Sequence, residues 1–273
     1  MQRFARQGTA LVHGGKPVAL PSAAFPKHEM LRRAEIEDEI MDILLRDYSK
    51  LVLHGSTAIR RCYNGDRFTT DLDFYTNLKP ARLVPFREQL YPLLIGAGYS
   101  MTDMRYSNMD RLLLDPTFVT PEIPLRHVAS SELTLTLHVV VKKDGVSERI
   151  DMTFMTRAVK YVEAEYTRAD GSKRPVYILV PEALLQEKMD RYAYDLDRAK
   201  HRIQDLYDIA FLSETLEDLS ARARRNIAVF LARVREKPPG NEAELARLLM
   251  DRAAPSFGRL LETLERHCSD ANG

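Results

Sequence analysis

Two short runs decide the reading of this chain: Leu51-Val52-Leu53-His54-Gly55-Ser56 and, after a brief spacer, Arg67-Phe68-Thr69-Thr70-Asp71-Leu72-Asp73-Phe74. The first is apolar and ends in Gly-Ser. The second carries two aspartates separated by one residue. Side chains alternate along a strand, so Asp71 and Asp73 share a face about 7 Å apart, while Leu72 and Phe74 face a core. Two carboxylates fixed side by side repel unless a cation lies between them, which is the requirement of a magnesium site.

A strand that ends in Gly55-Ser56 and enters a helix over 57–62 presents backbone N–H groups and a hydroxyl at a positive dipole end. Glycine there lets a triphosphate approach the backbone closely. Arg60, Arg61 and Arg67 are near enough in sequence to add cationic charge. Metal-assisted phosphoryl chemistry commonly draws on a further carboxylate from a neighbouring strand. Asp151 is the candidate, in the alternating run Arg149-Ile150-Asp151-Met152-Thr153-Phe154. Asp71 and Asp73 would hold the metals that clamp a nucleoside triphosphate. Asp151 would help hold the metal nearer the attacking hydroxyl and could accept its proton. In-line transfer then rests on positioning and charge neutralisation. Each signal has an ordinary alternative. Asp-x-Asp occurs on solvated strands, Gly-Ser is common turn chemistry, and Asp151 could simply pair with Arg149. His54 reads more readily as a buried, hydrogen-bonded histidine than as a ligand contact, and Cys62 as a packing residue rather than a nucleophile.

The 273 residues are 45% hydrophobic and 29% charged with net charge +1, an ordinary soluble globular composition. That balance argues against a strongly basic tail and does not exclude a local nucleic-acid patch. Two cysteines, Cys62 and Cys268, form no metal or disulfide framework and suggest a reducing, cytoplasmic setting. No apolar run is long enough for a membrane span, and Met1 to Val18 has no signal-peptide core. His13-Gly14-Gly15-Lys16 lacks the full phosphate-loop pattern and carries no assignment.

Residues 1–27 read as an irregular arm. Helical spacing predicts a helix over 27–48, and further helices over 57–62 and 80–97. Strands are expected at 51–54 and 70–75. Strict alternation predicts a strand over 133–141, returning through Lys143-Asp144-Gly145 into an antiparallel partner at 149–154. A second hairpin is expected from 161–166 and 176–180 around Ala169-Asp170-Gly171-Ser172. From Pro181 the pattern is helical, at 182–195, 199–214, 218–235, 241–251 and 256–267. The fold class is therefore α+β over 1–180, a mixed or antiparallel sheet with flanking helices, followed by an all-helical domain over 181–273.

His54-Gly55-Ser56-Thr57-Ala58 and Arg67-Phe68-Thr69-Thr70-Asp71-Leu72-Asp73-Phe74 together resemble the motif of AbiE-type (AbiEii, MenT-like) nucleotidyltransferase toxins, within the DNA polymerase β-like superfamily. Glu187-Lys188-Met189-Asp190-Arg191-Tyr192 and Arg202-Ile203-Gln204-Asp205-Leu206-Tyr207-Asp208-Ile209 resemble that family's helical signatures, with Gln204 where arginine is common. The likeness spans about 50–215. It implies a polymerase β-like core, a role for Lys188 near the triphosphate, and a catalytic or site-building role for Asp208. Asp205 and Asp208 share a helix face and could orient Lys188 or an arginine.

The resemblance implies an enzyme that uses Mg²⁺, or Mn²⁺, to move an NMP from an NTP to an acceptor hydroxyl with release of pyrophosphate. Gly55, Ser56, Arg67 and Lys188 are the expected nucleotide contacts. Asp71, Asp73, Asp151, Lys188 and Asp208 are the expected catalytic residues. The implied acceptor is the 3′ end of tRNA, and the implied setting a toxin–antitoxin pair with a cognate antitoxin protein. Arg222, Arg224, Arg225, Arg233 and Arg235 could dock RNA phosphates or form a solvated helix face. Two readings remain beside this one: transfer to a protein or small molecule, and a non-catalytic nucleotide- or RNA-binding module.

Overall fold

The computed structural model describes residues 11–13, 16–18, 27–48, 51–69, 71–76, 86–107, 134–156, 159–196, 202–235, 242–251 and 253–269. The chain divides into two compact units. One comprises residues 28–64 and 69–180; the other comprises 1–27, 65–68 and 181–273.

The first unit is built on one sheet. Its strands are β3 (Val52–His54), β4 (Leu72–Thr76), β5 (Ser100–Ser107), β6 (Thr134–Lys143), β7 (Val146–Thr156), β8 (Tyr161–Thr167) and β9 (Lys173–Leu179), numbered after a small hairpin described below. Their spatial order is β5-β6-β7-β4-β3-β9-β8. β4 runs parallel to β7 and β3 parallel to β9, while the other neighbours are antiparallel. The sheet is therefore mixed. Among the described residues the unit also holds helices α1 (Lys27–Asp47), α2 (Gly55–Cys62) and α3 (Phe86–Gly96).

Period-2 alternation makes the core. Leu72 and Phe74 of β4, Met152 and Phe154 of β7, and Leu137 and Val139 of β6 are all buried. Phe74 stacks on Phe154, and Phe86 of α3 meets Phe154 edge-on at 5.0 Å between ring centroids. The residues between them, Asp73, Thr153 and Asp151, face the opposite side and are only partly covered. β5 is the strand that sequence periodicity does not reveal. It is a sheet edge, mostly polar, with a register shift between Met101 and Asp103 that breaks the alternation.

The second unit holds α4 (Pro181–Leu196), α5 (Ile203–Thr215), α6 (Ala221–Arg235), α7 (Glu242–Leu248) and α8 (Phe257–Ser269). Its core includes Leu184, Leu185, Leu206, Ile209, Ile227, Leu231 and Leu264, all buried. Tyr192 of α4 packs edge-on against Phe230 of α6. Among the described residues, no helix is long and apolar enough to cross a membrane.

Two features depart from the linear reading. Residues 1–27 are not wholly irregular: β1 (Leu11–His13) pairs antiparallel with β2 (Lys16–Val18). Three-residue strands are too short for a periodic signal to stand out. Nor is the chain cut once at 180, because residues 1–27 and 65–68 group with the helices. Gly65–Phe68 is held there by backbone pairing, Phe68 N–H to Leu248 O and Met250 N–H to Asp66 O. The Asp66 carboxylate also accepts from the Asp251 N–H. Such pairing joins residues nearly two hundred positions apart and leaves no local mark in sequence. The starts of the helices expected over 80–97 and 199–214 lie outside the described residues.

Candidate active site

β3 and β4 bring the two signature runs together. His54 is in register with Asp73, and Gly55 opens α2 with φ +70°. This is the left-handed region that glycine enters without strain. A Cβ built on Gly55 would lie 2.6 Å from Asp73 Oδ2. The carboxylate of Asp73 therefore occupies the space that the missing side chain leaves, directly at the start of α2. The first N–H groups of a helix have no intrahelical acceptor, so an anion-binding helix end and a carboxylate lie side by side. The helix begins at Gly55, two residues before the expected Thr57. His54 is buried and stacks on Tyr75, with ring centroids 4.2 Å apart.

Asp71 precedes the β4 ladder and is exposed; Asp73 lies within it and is partly covered. β7 lies beside β4 in parallel, with Leu72 opposite Met152 and Asp73 opposite Thr153. The pairing of the two strands begins there, so Asp71 and Asp151 are the residues just before it on each chain. Asp151 is engaged. Arg149 donates Nε to Oδ1 at 2.8 Å and Nη2 to Oδ2 at 2.9 Å. His138 Nδ1 lies 2.7 Å from Oδ1. Burial works against the charged form, but these hydrogen bonds outweigh it and hold the Asp151 carboxyl below its ordinary range. Among the described residues, no three His, Cys, Asp or Glu side chains are gathered to hold a metal ion. The oxygen donors of Asp71 and Asp73 nonetheless suit Mg²⁺, which takes one or two carboxylates and completes its shell with substrate phosphates and water.

Sequence reasoning gave His138 no role, yet a signal was present. Asp144 and Gly145 both have positive φ, as a tight two-residue hairpin turn requires. Lys143 then faces Val146, and counting back sets His138 opposite Asp151, as observed.

Arg60 and Arg61 do not extend toward the start of α2. Both are buried. Arg60 Nη1 donates to Glu37 Oε2 at 3.1 Å and to Thr69 O at 3.0 Å. Arg61 Nη2 donates to Ala34 O at 3.0 Å and lies 3.0 Å from Asp38 Oδ1. One helical turn carries these side chains to the inner face of α2, so closeness in sequence to Gly55 does not mean closeness to a ligand there. Burial pushes the Cys62 thiol up to about 12, so it carries no thiolate for nucleophilic attack at neutral pH.

The helical unit assembles a second charged group. Arg67 forks onto Asp208, Nε to Oδ1 at 2.7 Å and Nη2 to Oδ2 at 2.6 Å. Lys188 Nζ lies 2.9 Å from Asp208 Oδ2 and 3.4 Å from Asp205 Oδ1. All four residues are buried. Burial alone would raise the Asp208 pKa, but Arg67 and then Lys188 outweigh it and hold the carboxyl well below the usual range. Asp208 thus orients Arg67 and Lys188, while Asp205 meets Lys188 and, at 3.3 Å, Arg202.

The basic residues of α6 are divided. Arg222, Arg225 and Arg233 are exposed. Arg224 donates to the carbonyls of Leu219 and His267, and Arg235 pairs with Glu265.

The family model of the nucleotidyl transferase AbiEii toxin, from type IV toxin–antitoxin systems, matches residues 43–267. The chain belongs to the AbiEii family. Its activity class is accordingly nucleotidyl transfer. No curated protein sequence matches it. Among solved structures, JHP933 from Helicobacter pylori is similar at TM-score 0.50 with 16% identity, covering 93% of this chain and 92% of that one. A second H. pylori structure, with a provisional nucleotidyltransferase description, aligns at TM-score 0.47 and 16% identity over 93% of this chain and 95% of that one. At such identity JHP933 speaks for the fold alone. Both signature runs and both helical signatures lie inside the matched AbiEii region.

Proposed function

We propose that this AbiEii-family enzyme moves a nucleoside monophosphate from an NTP to the 3′-terminal hydroxyl of tRNA, as the toxin of a pair whose partner gene encodes an antitoxin. The observation that carries the chemistry is the contact of Asp73 with the Cβ-less face of Gly55. It sets a carboxylate at a helix N-terminus, where a triphosphate would otherwise be held by N–H groups alone. Gly55 and Ser56 bind phosphate oxygens. Asp71 and Asp73 hold Mg²⁺, or Mn²⁺. When bound, the ion neutralises the triphosphate and polarises the reacting phosphorus.

The acceptor oxygen forms its bond to the α-phosphorus as the bond to the bridging oxygen breaks, and pyrophosphate leaves. The hydroxyl proton passes to a carboxylate. We assign Asp151 that role or the role of a further ligand, either of which requires its release from Arg149. Lys188 and Arg67 are assigned as nucleotide contacts, and Asp208 fixes their geometry within the helical unit. An RNA acceptor and an NTP donor place this reaction in the cytoplasm.

Incubation of the protein with each α-labelled NTP, Mg²⁺ and total tRNA is the direct test. Label should enter tRNA, depend on the metal and be lost when the 3′-terminal ribose is oxidised with periodate. Label appearing only in protein, or only in a small molecule, would replace tRNA with that acceptor. Labelling unaffected by chelation would remove the metal from the scheme.

Gly55→Ala gives a separate check. The new Cβ meets a side-chain oxygen, which can move, so the stability loss should stay near 1–2 kcal/mol for a left-handed alanine. The displaced Asp73 carboxylate should cost about 10²-fold in transfer rate. Urea denaturation and labelled transfer, run side by side, separate the two effects.

A further inference from the structure

Asp71 and Asp73 are not held in the same way. Asp73 is inside the sheet, in register with His54 on one side and Thr153 on the other. Asp71 lies before the first residue of β4, outside the ladder that would fix its backbone. α2 supplies a grip of another kind. The buried Thr57 hydroxyl donates to the Asp71 carbonyl. One turn further on, Arg60 Nη1 donates to the Thr69 carbonyl at 3.0 Å. The same face of the helix therefore holds the chain on both sides of position 70.

That grip is itself anchored. Glu37 of α1 is fully buried, and its Oε2 accepts from Arg60 at 3.1 Å and from Arg61 at 3.2 Å. Arg61 also reaches Asp38, whose Oδ1 accepts from the Tyr166 hydroxyl at 2.9 Å. The Ala169 N–H donates to Asp38 Oδ2 at 2.6 Å. A helix of eight residues would have little hold on its own position. Here the ion network locks its C-terminal turn to α1 and to the end of β8. The opposite end of α2 is the proposed phosphate site. The network thus lies at the other end of α2 from that site, and it holds α2 against the Thr69 and Asp71 carbonyls.

We propose that Thr57 and Arg60 are positioning residues for nucleotidyl transfer, fixing the backbone of Asp71 against α2, with Glu37 as the buried anchor of that grip. The inference rests on the reading of Asp71 as a metal-holding carboxylate. It adds what places Asp71 and why disturbing Thr57 should differ from disturbing the sheet. Valine matches threonine in shape but cannot donate, so Thr57→Val releases the carbonyl without opening a cavity. Serine keeps the donor.

The experiment compares wild type, Thr57→Val, Thr57→Ser, Arg60→Lys and Asp71→Asn. Three quantities are read: hydrogen exchange of peptides covering 69–73, calorimetric binding of each NTP as a function of Mg²⁺ concentration, and the urea midpoint. Thr57→Val should speed exchange in 69–73 and raise the Mg²⁺ needed for half-maximal NTP binding, each by about tenfold. Its urea midpoint should stay close to that of the wild type, and Thr57→Ser should restore both quantities. Arg60→Lys, which keeps the charge but loses the Nη1 that bridges Glu37 Oε2 and the Thr69 carbonyl, should move the same peptides, so the test survives if Thr57→Val fails to fold. Unchanged exchange and unchanged Mg²⁺ dependence in the Thr57→Val and Arg60→Lys variants would overturn the proposal. Asp71→Asn separates the two claims. If that variant binds Mg²⁺ and NTP as the wild type does, the metal role of Asp71 fails, while exchange at 69–73 still decides the grip.

Discussion

Asp73→Asn should lower labelled nucleotide transfer by about 10³-fold or more while leaving the protein folded. The amide keeps the shape of the carboxylate and its fit against Gly55, so packing is conserved. What disappears is the negative charge proposed to hold the divalent ion beside the triphosphate. Metal stabilisation of the transferring phosphoryl group supplies several kcal/mol, and each 1.36 kcal/mol is tenfold in rate. Stability should be unchanged or slightly higher, because Asp73 no longer adds a second negative charge two residues from Asp71. The check is transfer from α-labelled NTP set beside thermal unfolding of the same preparation. An Asn variant that keeps more than a tenth of wild-type transfer would show that Asp73 holds no essential ion.

The second large effect is expected in the helical unit. Asp208→Ala removes the carboxylate that Arg67 and Lys188 share. Two buried cations then remain, and Asp205 still lies 3.4 Å from Lys188. Breaking a buried pair from one side costs about 3–5 kcal/mol, because the surviving charge is stranded away from water. The loss should appear as a lower urea midpoint. A double replacement, Asp208→Leu with Arg67→Met, should recover much of it, since apolar groups of similar volume carry no desolvation penalty.

The same carboxylate makes stability depend on acid. Asp208 is depressed in the folded state. Its stabilisation is therefore fully present above the ordinary carboxylate pKa, and is lost as pH falls below that value toward the folded one. Wild type should lose more stability between about pH 4 and pH 2 than the double variant. Equal slopes would remove Asp208 as the source.

The elements that sequence periodicity revealed are those whose signal is local. The β6 strand alternates from Thr134 onward and its turn carries Asp144-Gly145, so both strand and register could be read. The helices after Pro181 show the 3.6-residue period, and their observed bounds fall within a few residues of the expected ones. β5 was missed because an edge strand with one polar face and a bulge has no clean alternation. β1 and β2 were missed because three residues are too few to count.

The candidate site divides along the same line. Gly55, Asp71 and Asp73 could be picked out because motif spacing within one β-turn-α-β stretch is a local property. The contact of Gly55 with Asp73 follows from the antiparallel pairing of β3 and β4, two strands close in sequence. The Arg149 fork on Asp151 was an open alternative in the sequence and is what the fold contains.

By itself, the sequence determined the fold class, the strand that carries Asp73 with Asp71 just before it, the glycine that opens the helix, and the change to an all-helical pattern at Pro181. These depend on side-chain period and on backbone freedom, which each residue carries with it. Only the tertiary structure decided that Arg60 and Arg61 turn inward to Glu37, that Thr57 grips Asp71, and that Gly65–Phe68 joins the helices so that Arg67 meets Asp208. A charged side chain has no period of its own. Its partner is set by which distant segment the packed core brings within 3 Å, and burial then makes that pairing obligatory because an unpaired charge cannot be left in the interior.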